Sequence, residues 1–383
     1  MNHSSCIELN TEAYKHNLEF IKSQISKHTV FSSVVKGNAY GHGIEEFVKI
    51  ALNAGVDHFS VYSSYEARRV YDVIKDENCT LLIMGDVNEN DFEWVIKNEI
   101  EFFVFEQIRL QKAKNVAQKL GKKALCHVEL ETGMNRTGFT PEEIDNVLSF
   151  FEKNKDTLKF KALCTHFAGA ESIGNYVRIE DQCRIFLNVK KHCEETGVKP
   201  EIYHTCCSAA MIRYPSMHFD MVRVGILQYG FWPSREIFIE YLKNKAIKES
   251  PLWRLINWKS YIMSIQKVKT GEYIGYGTTY LAGHDMKIAI VPIGYANGFS
   301  RTLSNTGRVL IRGERLPVVG IVNMNCLQID VTGVENVSIG DEVVIIGDQG
   351  DLEVTVSSFG ELSDQLNYEL LTRLPLDIPR FIK

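Results

Sequence analysis

The chain has 383 residues, 45% of them hydrophobic, and a formal net charge of −5. This length allows more than one domain, and the mixed charge argues against a protein that binds nucleic acid or a membrane surface. The nine cysteines form no C-x-x-C pair, so neither a metal site nor a disulfide framework is predicted. Without a signal-peptide pattern or an apolar run of about 20 residues, we expect a cytoplasmic protein.

The first 235 or so residues alternate short apolar runs with segments of helical period. The apolar runs read HTVFSSVV, HFSVY, TLLIM, EFFVF, ALCHVEL, FKALCTH, IYHTC and FDMVRV. Helical segments include GIEEFVKIALNAG and EQIRLQKAKNVAQKLG, the second ending on Gly121 as a C-cap. Eight strand–helix units in about 220 residues predict an α/β fold with a parallel (β/α)₈ TIM-type barrel. An open doubly wound sheet is the alternative.

The pattern of apolar and helical segments changes after YGFWPS. From about Trp258 the apolar runs NWKSYIMSIQKV, KIAIVPIGY, GRVLIRG, LPVVGIV, CLQIDVT and DEVVIIGDQG follow one another closely, separated by turn signals such as TGE and RGE. Helical character returns only at VSSFGELSDQ and YELLTRL. We therefore predict a C-terminal, mostly-β domain. The predicted boundaries are 8–238 for the barrel, and 1–7 with 239–383 for the β-rich domain.

Residues whose side chains can take part in catalysis or ligand binding lie where the predicted barrel strands end. They are Lys36, Arg136, His166 and Ser208, followed by Arg223, Gly225 and Ile226 after the eighth strand. Each alone is ordinary, but enzymes with this fold place their active sites at the carboxyl ends of the strands and bind phosphate after strands seven and eight. A lysine opposite a phosphate pocket indicates a pyridoxal 5'-phosphate (PLP) site, with Lys36 holding the aldehyde as a Schiff base.

Seven segments in order resemble the alanine racemase family, which is PLP-dependent and of fold type III. They are VVKGNAYGHG, ETGMNRTGF, THFAGAE, FDMVRVGILQYG, IGYGTTY, VPIGYANGFSR and NYELLTRLPLDIPR. The resemblance implies an isomerase that interconverts L- and D-alanine through an external aldimine and supplies D-alanine for peptidoglycan. It also implies a homodimer whose active sites are completed by the partner's C-terminal domain.

The resemblance implies a role for each matching residue. Lys36 and the partner's Tyr276 would be the two catalytic bases, acting on opposite faces of the substrate α-carbon. His166 and Arg223 would form a chain behind the tyrosine, with Arg223 facing the pyridine nitrogen and thereby suppressing transamination. The implied phosphate ligands are Tyr40, Ser208, Gly225, Ile226 and Tyr368. Arg136 and the Met324 backbone would bind the substrate carboxylate, while Glu171 and Arg301 would line the access corridor.

Several positions depart from the family pattern. Many members have a carbamylated lysine where this chain has Glu129, and we expect Glu129 to orient Arg136 through its own carboxylate. A salt bridge without functional coupling is the alternative. Ile321 replaces a corridor arginine, and Asn325 replaces an aspartate. Asn297 likewise replaces a common aspartate.

These departures leave other functions open. One alternative is a racemase with shifted or broad specificity, for serine or for larger and basic amino acids. Another is a barrel that carries PLP without turnover, although such a protein would need neither Tyr276 nor the β domain. Decarboxylation in a related barrel-plus-β fold is disfavoured by the THFA and GYGTTY segments.

Overall fold

The computed structural model describes residues 3–243, 245–363 and 367–383. The chain forms two compact units. The barrel unit consists of Glu12–Lys36 and Val48–Trp253. The β unit consists of Met1–Thr11, Gly37–Phe47 and Arg254–Lys383. The domain boundaries proposed from the sequence stay a prediction.

The strands of the described chain follow in chain order. They are β1 Cys6–Leu9, β2 Val30–Val34, β3 His58–Val61, β4 Thr80–Ile83, β5 Glu101–Val104, β6 Ala124–Glu129, β7 Leu158–Cys164, β8 Ile202–His204, β9 Met221–Val224, β10 Ile256–Tyr261, β11 Ser264–Val268, β12 Met286–Val291, β13 Arg308–Ile311, β14 Glu314–Pro317, β15 Leu327–Asp330, β16 Glu342–Gln349, β17 Leu352–Val354 and β18 Arg380–Ile382.

The helices lie mainly between the strands of the barrel unit. They are α1 Thr11–Ser23, α2 Lys36–Tyr40, α3 Ile44–Asn53, α4 Ser64–Ile74, α5 Phe92–Lys97, α6 Gln107–Leu120, α7 Ile144–Lys153, α8 Tyr176–Thr196, α9 Ser208–Arg213, α10 Arg235–Leu242, α11 Val356–Ser363 and α12 Asn367–Thr372. None of the helices in the described part of the chain is long and apolar enough to span a membrane.

The barrel unit contains a parallel sheet of eight described strands, in the order β8-β7-β6-β5-β4-β3-β2-β9. Its two end strands approach each other, since Asp220 N–H donates to Tyr203 O at 3.1 Å and Arg223 N–H donates to Cys206 O at 2.9 Å. Seven of the eight predicted strand runs contain one of these strands, the run FKALCTH overlaps β7, which begins at Leu158, and the barrel is confirmed. Gly121 ends α6 in the left-handed conformation, as the sequence predicts.

The β unit is antiparallel except at its N-terminal strand. There β1 pairs antiparallel with β10 and parallel with β18. The RGE turn forms a tight hairpin between β13 and β14, with both Arg312 and Gly313 at positive φ. Two positive φ angles at the centre of a two-residue loop match the right-handed twist of the flanking strands. The mostly-β prediction is confirmed.

Three features of the β unit differ from the sequence prediction. The run LPVVGIV is not one strand, because β14 ends at Pro317 and only Val318 makes a further bridge, to Ile329. Gly320 then turns the chain at φ +75°, with the position of its missing Cβ only 2.7 Å from Ile274 O. The run NWKSYIMSIQKV likewise divides into two strands, β10 and β11. The strands β1, β17 and β18 were not predicted.

Candidate active site

Lys36 lies two residues beyond the end of β2, at the carboxyl edge of the barrel sheet. Its side chain is accessible to solvent, yet protein atoms surround it closely. Desolvation, and next the positive charge of Arg136, therefore lower the pKa of the Lys36 ammonium. A lysine with a lowered pKa is more often the free amine, which is the form that attacks carbonyls and accepts protons.

Arg223 corrects one prediction, because it is the third residue of strand β9 rather than a residue after it. It is only 4% exposed. Its Nη2 donates to Thr165 O at 2.8 Å and to Thr205 O at 2.9 Å. These two carbonyls belong to the segments after β7 and β8, so neighbouring strand ends hold the guanidinium in place. A buried cation fixed in this way can face a polar ring atom without moving.

The segments after the last two barrel strands bring small polar groups together. Ser208 begins α9, and its buried hydroxyl accepts a 2.9 Å hydrogen bond from Gly225 N–H. The next residue, Ile226, begins a short 3₁₀ helix. The Gly225 N–H is used within the protein, so the O–H of Ser208 is the donor here that suits an anionic oxygen. The structure thus places Ser208 beside Gly225, as the phosphate prediction requires.

Glu129 ends β6, and its side chain is 5% exposed. The long ion pair to the exposed Arg136 measures 3.8 Å, whereas Thr137 Oγ1 donates to Glu129 Oε2 at 2.7 Å. Burial raises the pKa of the Glu129 carboxyl, while Thr137 and then Arg136 act against this shift. The two predicted partners are therefore neighbours. Thr137, which sequence reasoning missed although it follows Arg136 directly, holds the carboxylate more closely.

His166 follows β7 and is half-buried. Desolvation, and then the charges of Arg223, Arg136 and Lys36, hold its pKa well below the ordinary value. At neutral pH the imidazole is consequently neutral, with one nitrogen as donor and the other as acceptor. The positive charges of Arg223, Arg136 and Lys36 thus act on His166, while its place in the predicted chain behind the tyrosine stays a prediction.

The β unit contains the other predicted phosphate ligands. Tyr40 is buried, and its ring lies 5.9 Å from the ring of Tyr368 between centroids. The two rings therefore form one aromatic pair. The residues proposed to reach a partner are instead open to solvent. Tyr276 is 71% exposed and Met324 is 55% exposed.

The corridor residues of each unit are also at the surface. In the β unit, Arg301 begins a 3₁₀ turn and is exposed, and Asn297 accepts a 3.0 Å hydrogen bond from Gly294 N–H. Asn325 is exposed and Ile321 is half-buried. In the barrel unit, the main-chain oxygen of Glu171 accepts from Ser234 Oγ at 2.6 Å, and its side chain is exposed.

A buried chain of polar side chains inside the barrel was not predicted. His127 Nδ1 lies 2.9 Å from His204 Nε2, and His127 Nε2 lies 2.8 Å from Glu101 Oε2. Although burial opposes ionisation, the hydrogen bond from His127 holds the pKa of Glu101 well below its usual range. The run CHVE inside an apolar strand carries the signal, since polar residues in a parallel barrel strand require buried partners.

The barrel mouth thus has the features of an enzyme active site that uses a lysine amine beside an anion-binding loop. The lysine, the buried arginine and the hydroxyl–amide pair together suit an aldehyde, a ring nitrogen and a phosphate. Residues 9–233 match the family model for the alanine racemase N-terminal domain, and residues 255–382 match the model for its C-terminal domain.

Relatives and solved structures agree with these matches. The alanine racemase of Methanococcus maripaludis is 34% identical over 381 residues, 99% of each chain. That of Leptospira interrogans is 32% identical over 386 residues, covering 99% of this chain and 96% of the relative. Alanine racemase from Clostridium difficile 630 has a TM-score of 0.90 at 30% identity, covering 100% and 96% of the two chains. The Bacillus anthracis enzyme with bound L-Ala-P has a TM-score of 0.89 at 30% identity, covering 100% and 95%.

The chain belongs to the alanine racemase family. It is a racemase enzyme, which rules out the non-catalytic PLP carrier considered from the sequence.

Proposed function

We propose that this enzyme interconverts L- and D-alanine with PLP as its cofactor, in the cytoplasm, supplying D-alanine for the cell wall. The observation that carries the proposal is the setting of Lys36. This lysine lies at the carboxyl edge of the barrel sheet with a lowered pKa, beside Arg136 and in the field of the buried Arg223. The relatives compared above are alanine racemases, and the methyl side chain of alanine makes few demands on the shape of the site.

The cofactor would be held at three places. Lys36 would bind the aldehyde covalently, and Arg223 would lie at the ring nitrogen. Ser208, Gly225 and Ile226 would bind the phosphate together with Tyr40 and Tyr368. When bound, PLP supplies an electron-withdrawing ring that makes the substrate α-hydrogen more acidic. Because an arginine does not readily give up its proton, Arg223 would keep the ring nitrogen unprotonated, and this would limit the electron withdrawal and disfavour transamination.

Racemisation requires one base on each face of the substrate α-carbon. Lys36 Nζ, freed once the substrate amine has displaced it, would serve on one face. The hydroxyl of Tyr276 of the partner subunit would serve on the other, in a homodimer with shared sites. Since a phenol has an ordinary pKa of about 10, it must be assisted near neutrality. The neutral His166 can accept a hydrogen bond from the phenol, and the fixed cation Arg223 would stabilise the phenolate.

The substrate carboxylate would be bound by the forked guanidinium of Arg136 and by backbone at Met324. Arg136 is 54% exposed, so its side chain needs a counter-ion to hold one orientation. Glu129 supplies that charge through an ion pair of 3.8 Å with Arg136. The hydroxyl of Thr137 donates to the other oxygen of the Glu129 carboxylate and holds it in place. We therefore propose that an intrinsic carboxylate performs here the orienting role of a carbamylated lysine.

A shifted specificity is the second candidate. Ile321 provides no positive charge where the family pattern has a corridor arginine, and Asn325 provides no negative charge. Serine and larger or basic amino acids are the substrates that such a corridor would admit.

The experiment is a substrate panel in heavy water. Purified enzyme with PLP is incubated with single L-amino acids, the enantiomers are separated by chiral chromatography, and α-deuterium is followed by mass spectrometry. Alanine should interconvert fastest, and Lys36→Ala should abolish the conversion. Faster turnover of serine or a basic amino acid would establish the second candidate instead. Deuterium exchange without inversion would contradict the two-base mechanism.

A further inference from the structure

The segment directly after Lys36 has an uncommon backbone. Gly37, Asn38, Ala39 and Tyr40 have φ angles of 63°, 55°, 52° and 50°, so these four consecutive residues, like Gly41 after them at 82°, are left-handed. For a residue with a Cβ this conformation is unfavourable, and runs of it are rare. Three of the four residues carry a Cβ, which means that surrounding structure must hold the turn.

The ring of His42 is fully buried beneath this turn. Its Nδ1 lies 3.0 Å from Ala39 O and 2.9 Å from Tyr40 O. Carbonyl oxygens can only accept, so Nδ1 carries the hydrogen and is shared between the two. Burial lowers the pKa of His42 to about 4, and therefore the ring is a neutral donor at physiological pH. One side chain thus holds the carbonyls of both Ala39 and Tyr40.

Other contacts within the β unit hold the same turn from outside. Asn38 Oδ1 accepts from Ile44 N–H at 3.3 Å, which joins the turn to the start of α3. Arg380 Nη2 donates to Gly41 O at 3.0 Å. A Cβ on Gly41, at φ +82°, would stand 1.9 Å from Leu371 O, so the main chain passes too closely for any side chain here. Of these contacts, the His42 ring is the one that joins two consecutive carbonyls of the turn, those of Ala39 and Tyr40, through a single titratable group.

We propose that His42 is a positioning residue, whose ring holds the left-handed turn that fixes the spacing between Lys36 at its start and Tyr40 at its end. Lys36 and Tyr40 are four residues apart, one turn of helix. A relaxed turn would change where the tyrosine hydroxyl stands relative to the lysine amine. The consequence for PLP rests on the proposed function, whereas the consequence for the backbone does not.

The test compares three variants with the parent protein. His42→Leu removes the donor and keeps an apolar side chain, whereas His42→Asn places an amide N–H close to the position of Nδ1. His28→Asn changes an exposed histidine before β2 and serves as the matched control. Hydrogen exchange of the amides of Gly41, His42 and Gly43 is measured without cofactor. PLP affinity and the visible absorption of the Lys36-bound cofactor are then measured separately.

We expect His42→Leu to speed exchange at these amides and to weaken PLP binding, each by at least about tenfold. His42→Asn should recover most of both losses, and His28→Asn should equal the parent. Exchange and affinity within about twofold of the parent in His42→Leu would overturn the proposal. If no version binds PLP, the proposed function fails, and the exchange rates alone still decide the role of His42.

A folding failure of His42→Leu is covered by a second comparison. His42→Gln carries the same amide group one bond further out, closer to the position of Nε2. The proposal predicts slow exchange in His42→Asn and fast exchange in His42→Gln. Equal protection in the two variants would contradict it.

Discussion

Several proposed site residues of the barrel unit are buried, whereas the two that the β unit would contribute to catalysis and substrate binding are open to solvent. In the barrel unit, Arg223 and Glu129 are each 4% exposed and Ser208 is 6% exposed. In the β unit, Tyr276 is 71% exposed and Met324 is 55% exposed. Buried polar groups are held by several hydrogen bonds, so the barrel part of the site is already organised within one chain. Because the side chain of Tyr276 is largely in solvent, it can contact the surface of another subunit.

The largest effect is expected from the barrel side. Lys36→Ala removes both the covalent anchor and one base, so racemisation should fall by at least about 10³-fold. Visible absorption of protein-bound PLP should also be lost. The control is Lys49→Ala, since Lys49 is an exposed lysine of α3. If Lys36→Ala kept the parental turnover, the proposed role of Lys36 as cofactor anchor and catalytic base would be contradicted.

On the exposed side, Tyr276→Phe should lower racemisation by about 10²- to 10³-fold, because one of two bases is lost. Thermal stability should stay at the parental value, since the tyrosine side chain is largely in solvent. Cofactor absorption should also remain. Tyr273→Phe, at a 53% exposed tyrosine of the same segment, is the control. If Tyr276→Phe and Tyr273→Phe had equal activities, the proposed role of Tyr276 as a catalytic base would be contradicted.

Acid sensitivity provides the third prediction. The pKa of His42 is about 4 in the folded protein against 6.5 in its ordinary state, so between these values the unfolded chain binds more protons. Stability should therefore fall as pH drops from about 6.5 to about 4, by about 3 kcal/mol from this residue. Burial is the main cause, and the cation Arg380 acts in the same direction.

Urea unfolding of the cofactor-free protein across this pH range measures the effect. His42→Asn has no group that titrates in the window and should show a flatter profile. Parallel profiles for the two proteins would contradict the assignment.

Glu129→Gln should have the smallest effect. Since burial raises the pKa of this carboxyl in the folded protein, its charge costs stability as pH rises through that pKa. Removing the charge should leave the melting temperature at neutral pH unchanged or higher, while KM for alanine rises by about tenfold. Steady-state kinetics and calorimetry check this, with the exposed Glu142→Gln as control. A KM equal to the parental value would favour a salt bridge without functional coupling.

The sequence predicted the barrel well because the strand runs are apolar and alternate with helices, as where Gln107–Leu120 follows Glu101–Val104. It also predicted that Lys36 and Ser208 follow strand ends, since alternating strands and helices place all carboxyl ends at one edge. It could not predict the left-handed run after Lys36. Neither Asn38 nor Ala39 demands that conformation locally, and only the contact with the buried His42 reveals it.

The tertiary pairing of distant polar residues was equally hidden. Glu101 and His204 are separated by about a hundred positions, and no local pattern states that His127 lies between them. The sequence also could not show which residue lies closer to Glu129, because the two distances differ by little more than one ångström. Thr137 and Arg136 are adjacent in sequence, yet one donates at 2.7 Å and the other lies at 3.8 Å.

Hybrid dimers test most directly whether one site combines the barrel of one copy with the tyrosine of another. Lys36→Ala and Tyr276→Ala proteins, each inactive alone, are mixed, dissociated, reassociated and assayed for racemisation with PLP. A shared site predicts that activity returns to about a quarter of the parental value, since half the dimers are hybrids with one intact site in two. A mixture that remains as inactive as its components would contradict the shared site.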